Sequence, residues 1–178
     1  ETGNLKAKED VALKGENITN AGNVTSTDGK VDVNATNFTN TETGNLVAKD
    51  AVNVTATNAD VDGNVTGGNV TLNTTGNLTV EEGANVNATN GTATLKGENI
   101  TNSGSVVSPN GTIDVDATNN FTNTDTGNLK AKDAVTIDAK EATVGGNVTS
   151  DNATVDVNAT NVTVSPNATI TAKEDVTL

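Results

Sequence analysis

The sequence predicts an all-β fold, a right-handed parallel β-helix whose triangular coils take about twenty residues each. Three observations carry that prediction. A short signature, Gly-Asn followed by Leu or Val, recurs at Gly3-Asn4-Leu5, Gly22-Asn23-Val24, Gly44-Asn45-Leu46, Gly63-Asn64-Val65, Gly127-Asn128-Leu129 and Gly146-Asn147-Val148. Looser copies, Gly83-Ala84-Asn85-Val86, Gly104-Ser105-Val106 and Pro166-Asn167-Ala168, fill the remaining intervals of 19 to 23 residues. A short period held from end to end marks a solenoid rather than a globule. Between the signatures, apolar and polar residues alternate with the two-residue period of a strand, and no stretch keeps a helical spacing.

Composition sets the frame for this reading. Hydrophobic residues are only 33% of the 178, a value that ordinarily accompanies disorder. Here the few apolar residues are mostly Val, Leu and Ile, and they fall in register from one period to the next. A solenoid needs only a thin column of them, because each coil covers its neighbour. Burying one Val or Leu is worth about 1.5–3 kcal/mol, against ~1–2 kcal/mol of backbone entropy for each ordered residue. A single coil therefore does not stand alone, and the stack folds together.

In chain order, coil one runs from Gly3 to Ala21 and turns Leu5, Ala7, Val11, Leu13 and Ile18 inward. Coil two repeats this with Val24, Val31, Val33 and Phe38, and coil three with Leu46, Ala48, Val52, Val54, Ala59 and Val61. Coil four supplies Val65, Val70, Leu72, Leu78 and Val80; coil five supplies Val86, Ala88, Ala93, Leu95 and Ile100. Coil six has Val106, Ile113, Val115 and Phe121, and coil seven has Leu129, Ala131, Val135, Ile137, Ala142 and Val144. Coil eight has Val148, Val155, Val157, Val162 and Val164, and a partial ninth ends in Ile170, Val176 and Leu178. This makes roughly 8.5 coils of three short strands each, in one unbroken segment over residues 1–178.

The middle strand is the sharpest signal. Val31-Asp32-Val33, Val52-Asn53-Val54, Val70-Thr71-Leu72, Ile113-Asp114-Val115, Val135-Thr136-Ile137 and Val155-Asp156-Val157 each place two residues inside and the central one in water. A longer repeat overlies the short one. Lys14-Gly15-Glu16-Asn17-Ile18-Thr19-Asn20 returns as Lys96-Gly97-Glu98-Asn99-Ile100-Thr101-Asn102, and Phe38 returns as Phe121. The two Phe widen the core locally, and small Ala59 and Ala142 in the following coils relieve them.

Ahead of the third strand stands a column of Asn17, Asn37, Asn58, Asn77, Asn99, Asn120 and Asn161, broken by Glu141. Stacked amides bond from coil to coil, so the column predicts a structural Asn ladder with buried partners. The chain is also dense in Asn-x-Thr, with Asn23, Asn53, Asn69, Asn110 and Asn147 as candidate glycosylation sites. Ladder members that share the motif, such as Asn17, Asn77 and Asn99, are expected to be poor acceptors.

Chemistry is harder to find. The chain has no His, Cys, Tyr, Trp, Met, Arg or Gln, and its net charge is -13. That removes the usual catalytic triads, transition-metal ligands and guanidinium clamps, so no catalytic, cofactor-binding or metal site is assigned. Acidity disfavours nucleic acid and anionic membrane surfaces, and no apolar run approaches the ~18 residues of a membrane span. The acidic pairs Asp60 with Asp62, Asp114 with Asp116, and Glu81 with Glu82 raise glycoside hydrolysis as an alternative. They read better as a solvated charged face, because sugar sites normally add aromatic platforms. The calcium-binding nonapeptide Gly-Gly-x-Gly-x-Asp never occurs, which leaves adventitious Ca²⁺ at Asp114 and Asp116. Ice binding ranks third, because charges interrupt the outward middle-strand column at Asp32, Asp114 and Asp156.

Gly68-Asn69-Val70-Thr71-Leu72-Asn73-Thr74-Thr75-Gly76-Asn77-Leu78-Thr79-Val80, followed by Asn85-Val86-Asn87-Ala88-Thr89, resembles the high-molecular-weight adhesins of Gram-negative bacteria. Those group with filamentous haemagglutinin and the contact-dependent inhibition proteins of two-partner secretion. Ile18-Thr19-Asn20-Ala21-Gly22 and Ile100-Thr101-Asn102-Ser103-Gly104 match the family's Leu-x-Asn-x-Gly form. The resemblance implies a secreted fibre at the outer surface, adhesion to a host-cell or glycan receptor, and glycosylation at Asn-x-Thr. The lack of Gln, Arg and Tyr departs from the family and fits an idealised or designed repeat. With no initiator Met, the chain reads as a mature product or a cut segment. Lys173-Glu174-Asp175-Val176-Thr177-Leu178 echoes Lys8-Glu9-Asp10-Val11-Ala12-Leu13, which predicts end-to-end self-association or continuation by further coils.

Overall fold

The computed structural model describes residues 3–178. Among them there are strands and turns but no helix, and every strand pairing is parallel. The chain winds as a β-solenoid of about eight turns. Each turn opens with a four-residue strand and continues into a longer one. The first coils hold β1 (Asn4–Ala7), β2 (Val11–Asn20), β3 (Asn23–Ser26) and β4 (Val31–Asn40). Next come β5 (Asn45–Ala48), β6 (Ala51–Ala56), β7 (Asn58–Val61), β8 (Asn64–Gly67), β9 (Asn69–Thr74) and β10 (Asn77–Val80). The central coils follow with β11 (Asn85–Ala88), β12 (Ala93–Asn102), β13 (Ser105–Ser108) and β14 (Ile113–Asn123). The last are β15 (Asn128–Ala131), β16 (Val135–Val144), β17 (Asn147–Ser150), β18 (Val155–Val164), β19 (Thr169–Ala172) and β20 (Val176–Thr177).

The short strands stack into one nine-stranded sheet, β1-β3-β5-β8-β11-β13-β15-β17-β19, which is the first face. The register matches signature to signature, with Leu5 beside Val24, Val24 beside Leu46, and Leu46 beside Val65. At roughly 4.8 Å per step, eight steps give a rod about 40 Å long.

The expected middle and third strands are not separate in most coils. In β2, β4, β12, β14, β16 and β18 they form one bent strand of 10 or 11 residues; only coils three and four divide it, as β6 with β7 and β9 with β10. The bend is legible in the burial. Along β14, Ala117 and Phe121 face inward while Thr118, Asn119 and Asn120 all face away from the core. The other long strands turn the same corner with two outward residues, as Thr36 and Asn37 do ahead of Phe38, and β14 carries one more at a bulge; the turn starts a third face without ending the strand. The residue inside that corner is small in every coil, running from Gly15 through Ala35, Ala56, Thr74, Gly97 and Ala117 to Ala139 and Ala159. A larger side chain would meet the neighbouring coil: a Cβ on Gly97 would come within 2.7 Å of Thr74 Oγ1.

The core is a single column of aliphatic side chains, and Phe38 and Phe121 lie wholly inside it. Phe38 stacks between Ile18 and Ala59, and Phe121 between Ile100 and Ala142, so a large ring is followed by a methyl group each time. The inward residues of the outermost coils depart from expectation. Leu5, Val164, Val176 and Leu178 are exposed, and Leu13, Ile18, Val162 and Ile170 are half-buried or nearly so. Each lies where only one neighbouring coil covers it.

The signature glycine is explained by backbone contact between coils. A Cβ on Gly44 would collide with the carbonyl oxygen of Asn20 and the side chain of Asn40; one on Gly146 would collide with the carbonyl oxygens of Gly127 and Thr124. The coils close to hydrogen-bonding distance at this corner, and only hydrogen fits there.

Candidate functional site

Three Asn arrays run along the rod. The array read from the sequence lies at the start of the third face. There the Asn37 side-chain amide donates to Asn17 Oδ1 at 2.9 Å, Asn58 to Asn37 at 3.3 Å, Asn99 to Asn77 at 3.1 Å, and Asn120 to Asn99 at 2.9 Å. At Asn77 it is the backbone N–H that donates to Asn58 Oδ1, at 3.1 Å. Asn120 is followed in register by Glu141 and then Asn161. These bonds are exposed to solvent. The expectation of buried partners is corrected here, because the corner turns these side chains outward just before the strand re-enters the core.

A second exposed ladder uses the signature Asn itself. Asn23 donates to Asn4 at 2.7 Å, Asn45 to Asn23 at 2.9 Å and Asn64 to Asn45 at 2.9 Å. The third array is buried. Asn20 Nδ2 donates to Asn40 Oδ1 at 2.8 Å, and Asn102 Nδ2 donates to Asn123 Oδ1 at 2.8 Å. Asn40 Nδ2 also reaches the carbonyls of Gly44 and Asn64, and Asn123 Nδ2 those of Gly127 and Asn147. Asn20, Asn40 and Asn123 satisfy backbone groups where the third face turns into the first, while Asn102 Oδ1 is buried without a partner among the described residues. The signal for them was in the sequence, as the Asn of Ile-Thr-Asn and Phe-Thr-Asn, two residues beyond an inward position and so inward itself.

The Asn-x-Thr candidates fall in different settings. The amide nitrogens of Asn23, Asn53 and Asn110 are engaged, by Asn4, Asp32 and the Thr89 carbonyl. Asn69 is exposed and uses its oxygen to accept from the Thr92 N–H at 2.9 Å. Asn147 is exposed with no side-chain hydrogen bond among the described residues.

Acidic groups converge at one place among the described residues. Asp60, Asp62 and Glu81 each bring a carboxylate oxygen to within 4.8 Å of the others. Asp60 and Asp62 flank the inward Val61 at the end of β7, and Glu81 enters from the turn after β10, one coil further on. The pairing of Glu81 with Glu82 suggested by the sequence is therefore replaced by a grouping across coils. Asp62 and Glu81 occupy the same turn position in successive coils, which is the signal that would have found it. Burial, with Asp62 nearby, pushes the Asp60 carboxyl up. Glu81 is raised by burial and then by Asp60 and Asp62. Asp60 Oδ1 is buried and accepts no hydrogen bond. Three carboxylates of this kind are hard oxygen donors that suit Ca²⁺ rather than a transition metal.

Beside this group the third face dips. Ala59 follows Phe38 in the core, and the surface above is a shallow depression of about 290 Å³ lined by Asn37, Thr39, Asn58, Asp60, Asn77 and Glu81. The pair read as an adventitious Ca²⁺ site behaves differently. Asp116 is held by Lys96 at 3.0 Å, and Asp114 is raised by burial and by Asp138, with Lys96 opposing.

No family model, no curated protein and no solved structure matches this chain.

Proposed function

We propose that the chain is a non-catalytic shaft segment of a secreted bacterial surface adhesin, a rigid spacer that presents adhesive faces to a host-cell or glycan receptor. The observation that supports this reading is the unbroken register of the first face from β1 to β19. A rod with no break in pairing transmits position along its length. The resemblance to high-molecular-weight adhesin repeats supports export to the Gram-negative outer surface and glycosylation at Asn-x-Thr, for which Asn69 and Asn147 are the more accessible candidates. The test is display of the chain on a non-adherent bacterium, with surface exposure verified by antibody. Increased attachment to epithelial cells is expected, and unchanged attachment overturns the adhesive role.

Continuation by further coils belongs to the same proposal. Strands β1 and β19 are the outer strands of the nine-stranded sheet, and unpaired edges are templates for another strand. The echo of residues 8–13 in residues 173–178 keeps the register for a following copy. Light scattering across a dilution series should show mass rising with concentration, more steeply in high salt, where the repulsion of a net charge of -13 is screened. A constant monomer mass in both conditions removes self-association.

A second reading, carbohydrate binding, is favoured by the depression at Asp60, where amides, the hydroxyls of Thr39 and Thr79, and carboxylates converge. A glycan array with and without Ca²⁺ tests it. Binding that Asp60→Asn abolishes supports it, and an array without signal in either condition removes it.

A further inference from the structure

The third face carries two outward columns side by side. One is the Asn column described above. The other runs from Thr19 through Thr39, Thr79, Thr101, Thr122 and Thr143 to Thr163, with Asp60 as its single interruption. Thr on an outward strand position is ordinary β preference, so the comparison that matters is with the second face, on the same strands. There the outward residues include Asp32, Lys96, Asp114, Asp116, Asp138 and Asp156. Of the sixteen third-face positions, only Asp60 and Glu141 are charged.

The two columns differ in how their polar atoms are used. Side-chain amides tie Asn17, Asn37 and Asn58 in one run and Asn77, Asn99 and Asn120 in another, which holds them in place. The Thr hydroxyls make no hydrogen bond to protein among the described residues, unlike Thr41, Thr74 and Thr92 at the corners. Each hydroxyl can donate once and accept twice, and each sits beside its own methyl group. The result is a two-dimensional array repeating at roughly 4.8 Å between coils and about 6.6 Å along the strand. Parallel pairing keeps the array in register from coil to coil, and the depression beside Asp60 is where its surface dips.

The chemistry of this face narrows its partner. It presents no large apolar side chain for a hydrophobic surface, no cation for a polyanion, and no aromatic platform, since both Phe are buried. A regular lattice of hydrogen-bonding groups is what remains complementary. We propose that the third face binds the ordered water of an ice surface, with the Thr hydroxyls joining the lattice, the methyl groups seating in its gaps and the Asn ladder fixing the spacing. Asp60 and Glu141 are the two defects in the array. On the second face charges at Asp32, Asp114 and Asp156 break any such pattern, whereas the third face keeps it through most coils.

The experiment measures thermal hysteresis and ice-crystal habit for the full chain and two double variants. Thr101→Lys with Thr122→Lys alters the third face, and Thr71→Lys with Thr94→Lys alters the second. Circular dichroism checks that each remains folded. Faceted growth and hysteresis are expected for the parent and the second-face variant, and loss of both for the third-face variant. Should the third-face variant misfold, Asp60→Thr with Glu141→Asn decides, because completing the array should raise hysteresis severalfold. Round, unfaceted crystals with the parent, equal loss in both Lys variants, or no gain on completing the array would each overturn the proposal. So would retention on crystalline cellulose without any effect on ice.

Discussion

Inside the core, the side-chain amide of Asn20 donates to the side-chain oxygen of Asn40 at 2.8 Å, and Asn102 repeats the relationship with Asn123. Both pairs sit in a column otherwise occupied by Val61, Val80, Val144 and Val164. An amide in an aliphatic column is tolerated only when bonded, and here Asn40 and Asn123 also close the turn that follows. Replacing Asn40 by Ala leaves Asn20 Nδ2 short of its shortest partner and the Gly44 carbonyl without its side-chain donor. A loss of ~1–3 kcal/mol is expected, while Asn37→Ala, on the exposed ladder, should cost under ~1 kcal/mol. Urea unfolding of the two variants measures the difference, and equal midpoints would contradict the distinction between the arrays.

Gly146→Ala should be among the most damaging single-methyl changes in the chain. Its Cβ would overlap the carbonyl oxygens of Gly127 and Thr124, both backbone atoms that cannot rotate away. Overpacking of this kind costs ~1–3 kcal/mol or more. The control is Gly3→Ala, where a Cβ meets nothing within 4 Å. A thermal midpoint lowered for the first and nearly unchanged for the second is the expected outcome.

Phe121→Ala should cost ~3–5 kcal/mol, because the ring is fully buried and Ala142 stands on one side of it, leaving little to collapse into the space. Since each coil relies on its neighbours, the midpoint should fall while the transition stays single and β-rich in circular dichroism. Two resolved transitions would show that the stack divides at this coil.

The acidic cluster gives the pH dependence a sign. Asp60 and Glu81 have carboxyl groups raised in the folded state, so the fold holds their protons more tightly than the unfolded chain does. Their unfavourable contribution is complete above the folded values and is relieved as pH falls toward the ordinary carboxylate range. Asp32 runs the other way. The Asn53 amide and then Lys30 hold it low, and its stabilising contribution is lost as pH falls through its folded value. Asp60→Asn should therefore raise the melting temperature by a few degrees at pH 7 and have little effect near pH 3. A melting temperature that falls at pH 7 would mean the carboxylate is stabilising in place.

The sequence by itself determined the architecture. A period near twenty residues and the alternation around Val31-Asp32-Val33 and its repeats place one coil on the next, because a strand buries every second residue and a coil can bury them only against its neighbours. The signature glycine and the pairing of Phe38 with Ala59 were legible for the same reason: both are matters of register, and register is written in the spacing. What the tertiary structure alone decided are the corners and the contacts across coils. Sequence spacing does not say that two residues in a row, such as Thr36 and Asn37, turn outward ahead of Phe38, so it places the Asn17-to-Asn161 ladder against buried partners and passes over Asn20, Asn40, Asn102 and Asn123. Nor does it say that Glu81 comes to Asp60 rather than to Glu82, because that meeting depends on how far one coil advances over the last. The inside and outside of a strand are local properties of alternation. Which side chains meet across a corner is fixed only when the coils are stacked.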